Sequence, residues 1–586
     1  MSTSNVYSLV EKAVYSCSPT RSSARWFYHF QVLLSNGDLF FRNNCAIAKL
    51  CFDQHQQNDR LSWFRDVTQS PEIQLKRQHA DRPLRKDETD GNLRTPTLAG
   101  TVLLLSHRIA ATIHRAGAAC REGTQVKILQ TNVAIIGAGT AGLAAYRSAI
   151  AAGASVLLIE GGAYGTTCAR VGCMPSKLLI AAAEAAHTAS TTAGFGVHLD
   201  GNIRVDGREV MDRVRSERDR FVGFVLESVD GIPADHRIRG YARFVDNNIV
   251  VVDDKYRIHA DSIVIATGSQ PNVLPMFESV SSRTLVNDDV FEWTDLPKSV
   301  VVVGAGVIGL ELGQALSRLG VRVSILGARE RVGPLTDPGI IAYSKKVFAG
   351  EFHFESQSVI QSVEPSGDGV EVIYQTPDGI RTDSFEHVVA ATGRRPNLAR
   401  LGLEATSMRL DAKGIPAFDA ATLQVHGHPV FMAGDANGVY PLLHEAADEG
   451  QLAGSNAALF PVRSLLRRRT PITVVFTDPE IAMVGARFID LVADEIVTGV
   501  VSFENQGRSR VMRRNRGLMH LYAEKRTGRF LGAEWMGPAA EHIAHLLSWS
   551  IQMDLTVEQM LEMPFYHPVI EEGVRTALRD AAAKLG

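Results

Sequence analysis

At 586 residues the chain exceeds one ordinary domain, and roughly 150 residues per domain predicts three or four. Its 61 Lys plus Arg against 64 Asp plus Glu leave a formal net charge of -3, which excludes the strong field that nucleic acid or anionic lipid would require and points to small-molecule partners. Six cysteines are too few for a disulfide-stapled secreted scaffold, so a reducing, cytoplasmic setting is expected.

Residues 1–128 read as an N-terminal extension with no role that the sequence discloses. It holds Cys17, Cys45, Cys51 and Cys120, and no CxxC or paired-His spacing that would support a metal site. Apolar residues at near-helical spacing predict one amphipathic helix over 103–119. The apolar run 101–105 is cut by His107 and Arg108, far short of the roughly 20 residues that span a bilayer, so no membrane association is expected. The first thirty residues lack the apolar core of a signal peptide, while their scarcity of acids and several Ser and Arg leave a transit-peptide reading open.

From residue 130 the pattern sharpens. An apolar strand over 133–136 runs into a turn carrying Gly137, Gly139 and Gly142, a helix follows to about residue 152, and a strand over 155–159 ends at Glu160. Glycines in a strand-to-helix turn with an acid about twenty residues on are what binding of a dinucleotide pyrophosphate and ribose requires. The same order recurs: a strand over 300–303, then Gly304, Gly306 and Gly309, a helix, and a strand over 322–326. Each unit is trailed by an ATGxxPN segment, the first with Thr267 and Gly268, the second with Gly393. Two dinucleotide sites are predicted, because the internal repeat supports each copy with the other.

Directly after Glu160 come Cys168 and Cys173 in a glycine-flanked loop, then Pro175, Ser176 and Lys177 leading into an alanine-rich helix over 178–187. A dithiol used for exchange needs Cα atoms within about 7 Å, and a nearby helix start with Arg170 and Lys177 favours thiolate over thiol. This segment resembles the redox-disulfide motif of the class I pyridine nucleotide-disulfide oxidoreductase family, which includes lipoamide dehydrogenase, glutathione reductase and mercuric reductase. The resemblance covers about residues 130–586 and is nearest to dihydrolipoamide dehydrogenase.

It implies an α/β fold of two Rossmann-like three-layer domains, for FAD and NAD(P), plus an α+β C-terminal dimerisation domain. The expected division is 129–297 for the first part of the FAD domain, 298–397 for the NAD(P) domain, 398–470 for the second FAD part and 471–586 for dimerisation. By the same resemblance Cys173 is the flavin-facing thiol and Cys168 the interchange thiol, Lys177 sits beside the flavin paired with Glu311, and Gly434 with Asp435 forms the second flavin signature. His567 is the acid-base catalyst, oriented by Glu572, and in the family this pair serves the other subunit's disulfide, which implies a homodimer. The implied activity is electron transfer between NAD(P)H and a small-molecule or carrier-bound dithiol/disulfide, as in dihydrolipoyl dehydrogenase.

Two departures bear on the substrate and the nucleotide. The family's His-Pro-Thr is His567, Pro568, Val569 here, which leaves reduction of another disulfide open, as in glutathione reductase. In the second unit the strand runs to Gly327, where NAD-preferring relatives place an acid. Arg329 and Arg331 follow and suit a 2'-phosphate, favouring NADPH, while Glu330 between them keeps NAD open. A transhydrogenase or quinone reductase would use the same two nucleotide sites without needing Cys168, Cys173, His567 and Glu572 together. A non-catalytic dimeric flavoprotein would need none of those four.

Overall fold

The computed structural model describes residues 31–35, 38–42 and 126–586. The chain divides into two compact units, Met1–Ala116 and Gly117–Gly586. In the first, strands Gln31–Ser35 and Asp38–Arg42 pair antiparallel as a hairpin, an element the sequence reading did not foresee. The helix expected over 103–119 and all four cysteines of the extension lie outside the described residues.

The second unit starts on strand Lys127–Ile136, longer at its front than the expected 133–136. It is flanked on both sides by parallel partners, Val156–Glu160 and Tyr256–Ile265, in a seven-stranded sheet. Residues 133–136 are all buried, the near-continuous apolar run that a strand covered on both faces demands. Helices Thr140–Ala151 and Leu443–Leu459 lie side by side over one face, and strand Val430–Met432 joins the sheet beside Tyr256–Ile265. Residues far apart in sequence thus complete one sheet.

The second sheet is five-stranded and wholly parallel: Thr284–Leu285, His387–Ala390, Ser299–Val303, Arg322–Leu326 and His353–Glu355 in spatial order. Helix Val307–Arg318 covers one face, and a three-stranded antiparallel sheet spanning Val359–Ser366, Gly369–Thr376 and Gly379–Phe385 packs Val363, Val372 and Tyr374 against the other. Two three-layer Rossmann-like domains result, as the sequence implied. The remainder is an antiparallel five-stranded sheet, Ile472–Val475, Glu480–Gly485, Phe530–Gly537, Leu518–Glu524 and Ile496–Ser502, backed by helices Ala540–Gln552 and Glu572–Leu585 around Trp535, Met519 and Leu547. This is the expected α+β C-terminal domain.

Candidate functional site

The redox loop is built from a broken helix. Cys168 lies in the short helix Thr167–Val171, capped by the Thr166 hydroxyl, which accepts from the Ala169 amide at 3.3 Å. The chain then bends at Gly172, and a second helix, Cys173–Thr191, begins on the second cysteine itself. The sequence pattern predicts this helix only from residue 178, five residues later than it starts. Pro175 is accepted in its first turn, where the amide it lacks would have no helical partner. Cys173 therefore stands at a helix N-terminus, where the aligned peptide dipoles favour an anion.

Both cysteines are free thiols, and their mutual influence separates them. The hydrogen bond from Cys168 is the main influence lowering the Cys173 thiol to about 7, with the Lys177 charge assisting and burial opposing. The same bond, with burial, pushes Cys168 far above the ordinary thiol range. The pairing favours the proton on Cys168 and negative charge on Cys173. Between them, the Val171 carbonyl accepts from buried Asn287 Nδ2 at 2.8 Å, a clamp supplied 116 positions later in the chain that the sequence reading missed.

Lys177, one turn along from Cys173, meets Glu311 at 2.8 and 3.0 Å, the pairing the resemblance implied. Glu311 is buried on helix Val307–Arg318, so a carboxylate there needs this ammonium as its counter-charge.

The glycine turns test whether dinucleotides fit. A Cβ on Gly137 would lie 2.3 Å from the Ala266 carbonyl oxygen, and one on Gly142 would lie 1.8 Å from that of Gly137; these positions are small because protein touches them. A Cβ on Gly139 would meet nothing within 4 Å. The second unit repeats this: Gly304 and Gly309 face Ala391 and Gly304 oxygens at 2.3 and 2.0 Å, and Gly306 faces open space. Protein packing does not require glycine at 139 or 306, whereas a phosphate approaching the helix N-terminus does. Glu160 receives the Ala138 amide at 2.8 Å and the Gly162 amide at 2.7 Å, which places its carboxylate beside the first turn. The Thr267 hydroxyl is buried without a partner, and Gly268 beside it, with φ +67°, also borders open space. Asp435 accepts from Ser269 Oγ at 2.6 Å, while the preceding Gly434 amide is held by Glu449 at 2.9 Å. These residues fit the chemistry of a dinucleotide such as FAD: a glycine turn open to a phosphate, two carboxylates, a buried hydroxyl without a protein partner and an ammonium.

At the second site Gly393, φ +99°, borders open space like Gly268. Both arginines are exposed, and Arg331 Nε donates to the Gly333 carbonyl at 2.8 Å. Glu330 is drawn aside by Lys345 at 2.8 Å and Gln357 at 3.2 Å.

His567 Nδ1 lies 3.0 Å from Glu572 Oε2, and Arg575 binds the other oxygen of that carboxylate at 2.7 Å. Desolvation raises the Glu572 carboxyl, but hydrogen bonds from His567 and the Val569 amide and the charges of His567 and Arg575 hold it below the usual range. The imidazole is 79% exposed, and no hydrogen bond or ion pair joins it to Cys168 within the chain. Dyad and dithiol are each assembled, but the single chain does not join them. Among the described residues there is no group of three or more His, Cys, Asp or Glu placed to hold a metal, and no helix long and apolar enough to cross a membrane.

Comparison with known proteins places these features in context. The family profile described as pyridine nucleotide-disulphide oxidoreductase matches residues 131–450, and its dimerisation-domain profile matches 471–578. The dihydrolipoyl dehydrogenase of Geobacillus stearothermophilus is 30% identical over 465 residues, covering 78% of this chain and 97% of that protein. The mercuric reductase of Streptomyces lividans is 31% identical over 454 residues, 75% of this chain and 93% of its own. Among solved structures, LpdA from Mycobacterium tuberculosis superposes with a TM-score of 0.66 at 24% identity, covering 77% of this chain and 99% of that one. The HOCl-induced flavoprotein disulfide reductase RclA from Escherichia coli gives 0.64 at 22%, with the same coverage. At these identities the two structures speak for the fold alone.

Proposed function

Because the chain belongs to the pyridine nucleotide-disulphide oxidoreductase family, whose members use FAD with a pyridine nucleotide, we propose that it exchanges electrons between NAD(P)H and a dithiol/disulfide substrate through Cys168 and Cys173. The reading is closest to dihydrolipoyl dehydrogenase, acting as a cytoplasmic homodimer. The observation that carries it is the placing of the cysteine pair: Cys168 in one short helix and Cys173 at the N-terminus of the next, one turn from the Lys177–Glu311 pair.

Bound FAD supplies the two-electron link between nicotinamide and thiolate. The residues do the rest. Glu160, Thr267 and Asp435 would hold the cofactor, and Lys177 would offset the negative charge of its reduced form. In the direction of disulfide reduction, Cys168 gives its proton to His567 and attacks one sulfur of the substrate, forming a mixed disulfide. His567 returns the proton to the leaving thiolate. The Cys173 thiolate then attacks the Cys168 sulfur, expels the second substrate thiolate, which takes a solvent proton, and closes the internal disulfide. The substrate gains two electrons and the cysteine pair loses them. Dihydrolipoamide oxidation runs the same steps backwards.

The homodimer is supported by the dimerisation-domain match and by an apolar stripe on the C-terminal domain, where Leu546, Trp549 and Met553 stand exposed at spacings of three and four. NADPH is the nucleotide favoured, because Arg329 is open to a 2'-phosphate while Glu330 is engaged elsewhere.

The test is anaerobic reduction of the flavoprotein with NADPH and, separately, NADH, followed by candidate disulfides. A long-wavelength thiolate-to-flavin charge-transfer band that lipoamide discharges supports the dehydrogenase reading. Discharge by glutathione disulfide and not lipoamide moves the substrate to another disulfide. Flavin bleaching without the band uncouples the cysteine pair and sinks the proposal.

A further inference from the structure

Helix Val307–Arg318 turns Glu311, Gln314 and Arg318 toward one short stretch of the C-terminal domain, Phe476 to Asp478. Spacings of three and four put these side chains on one helical face. The Phe476 amide donates to Glu311 Oε1 at 3.0 Å. Gln314 Nε2 donates to the Asp478 carbonyl at 2.9 Å and Gln314 Oε1 accepts from the Asp478 amide at 2.8 Å. Arg318 holds the Asp478 carboxylate at 3.1 Å and its carbonyl at 2.9 Å. Three successive contacts key the helix to this stretch, and the first ends on the Lys177 counter-ion.

The Phe476 side chain adds a second restraint. Lys177 Nζ lies 4.4 Å from the centroid of its ring, over the negative face of the aromatic system. The ammonium is thus held between the Glu311 carboxylate and the ring. A lysine stem with four rotatable carbons would otherwise leave the charge free to swing toward water. Its field at Cys173 falls with distance and with exposure.

We infer that Phe476 is a positioning residue of the redox centre: its ring and its amide together fix the Lys177–Glu311 pair, and through that pair set how readily Cys173 ionises. The inference rests on the reading of Cys173 as the flavin-side thiol. Because residues 476–478 lie in the domain matched as the dimerisation domain, just after its first strand, the seating of that domain becomes part of the tuning of the thiol.

The experiment uses the full-length flavoprotein in a Cys168→Ser background, where Cys173 cannot close a disulfide, and titrates the thiolate-to-flavin charge-transfer absorbance against pH. Phe476→Leu keeps the amide and removes the ring. It is expected to raise the midpoint by about half a pH unit, the size of an ordinary cation–π contact. Phe476→Tyr retains a ring and is expected to restore the parent midpoint, which a general packing defect would not allow. Lys177→Met sets the upper limit of the shift. If Phe476→Leu titrates like its parent while Lys177→Met is shifted, the positioning role is overturned and the site reading stands. If Lys177→Met also leaves the midpoint unmoved, both fall.

Discussion

The backbone amide of Asn272 donates to the carbonyl of Gly393 at 2.9 Å, and the gesture is returned: the Asn397 amide donates to the Gly268 carbonyl at 2.9 Å. Each ATGxxPN segment caps the glycine of the other. Between them Ser269–Pro271 and Arg394–Pro396 form a two-stranded antiparallel ribbon, and Arg394 Nε binds Ser269 Oγ at 2.8 Å, which in turn donates to Asp435. The repeat is a joint between the two nucleotide units as well as an exit turn from each. Its asymmetry is informative. Thr392 donates to the Asn272 carbonyl, whereas Thr267, its counterpart, keeps a buried hydroxyl with no protein partner.

The glycine contrast yields the first prediction. Gly142→Ala places a methyl against the Gly137 carbonyl, and overpacking of this kind costs about 1–3 kcal/mol. Gly139→Ala meets open space, so the apoprotein's thermal midpoint is expected to stay at the wild-type value while FAD loading weakens. Differential scanning fluorimetry of apoprotein and a flavin-loading titration separate the two. Equal loss of apoprotein stability in both variants counts against a phosphate approaching at Gly139.

Much of this was legible in the sequence because it is local. The two glycine turns, the ATG strands, the cysteine pair and the His567–Glu572 spacing each lie within about twenty residues, and periodicity and turn chemistry register at that range. Asn287, Phe476, Ser269 and Arg394 were not singled out, because their roles arise from pairings across the fold that no local pattern marks. The start of the helix at Cys173 was missed for a different reason. Pro175 reads as a stop in a linear scan, yet it is tolerated in a first turn.

Arg329 carries the second prediction. Removing a charge-assisted hydrogen bond to a 2'-phosphate costs about 1.5–3 kcal/mol, so Arg329→Ala should lower kcat/KM for NADPH by roughly 10- to 100-fold. NADH turnover should be almost unchanged. Should Glu330→Gln instead impair NADH and Arg329→Ala leave NADPH alone, the ribose diol is the group recognised and Glu330 reads it despite Lys345.

The exposed imidazole makes a prediction about subunits. His567→Gln should slow disulfide turnover by roughly 10²- to 10⁴-fold, the usual contribution of a positioned acid-base group, while reduction of the flavin by NADPH keeps its rate. Co-expression with Cys168→Ser provides the decisive mixture. If the dyad serves the partner's dithiol, a heterodimer of the two inactive chains regains one complete site, about half of the wild-type activity. A site complete within one chain predicts no recovery.

The turn that presents Asp435 depends on a buried ionic cluster. Glu449 is fully buried; one oxygen accepts from the Gly434 amide at 2.9 Å and from Asn437 Nδ2 at 2.7 Å, and the other meets Arg468 at 2.7 Å. Burial raises the Glu449 carboxyl above its ordinary value despite that guanidinium. A carboxyl raised in the fold is best tolerated when protonated, so its contribution is fully present at low pH and lost as pH climbs through the raised value. Arg468→Met removes the counter-charge and raises it further. Arg468→Met is therefore expected to cost about 3–5 kcal/mol at pH 8 and distinctly less at pH 5, measured by denaturant unfolding of the apoprotein. Adding Glu449→Gln should recover part of the loss and flatten the pH dependence, because the amide oxygen can still accept from Gly434. A deficit of equal size at both pH values would mean that Arg468 acts through its 2.7 Å pair with Glu445 and its stacking 4.9 Å from the Tyr440 ring, not through Glu449.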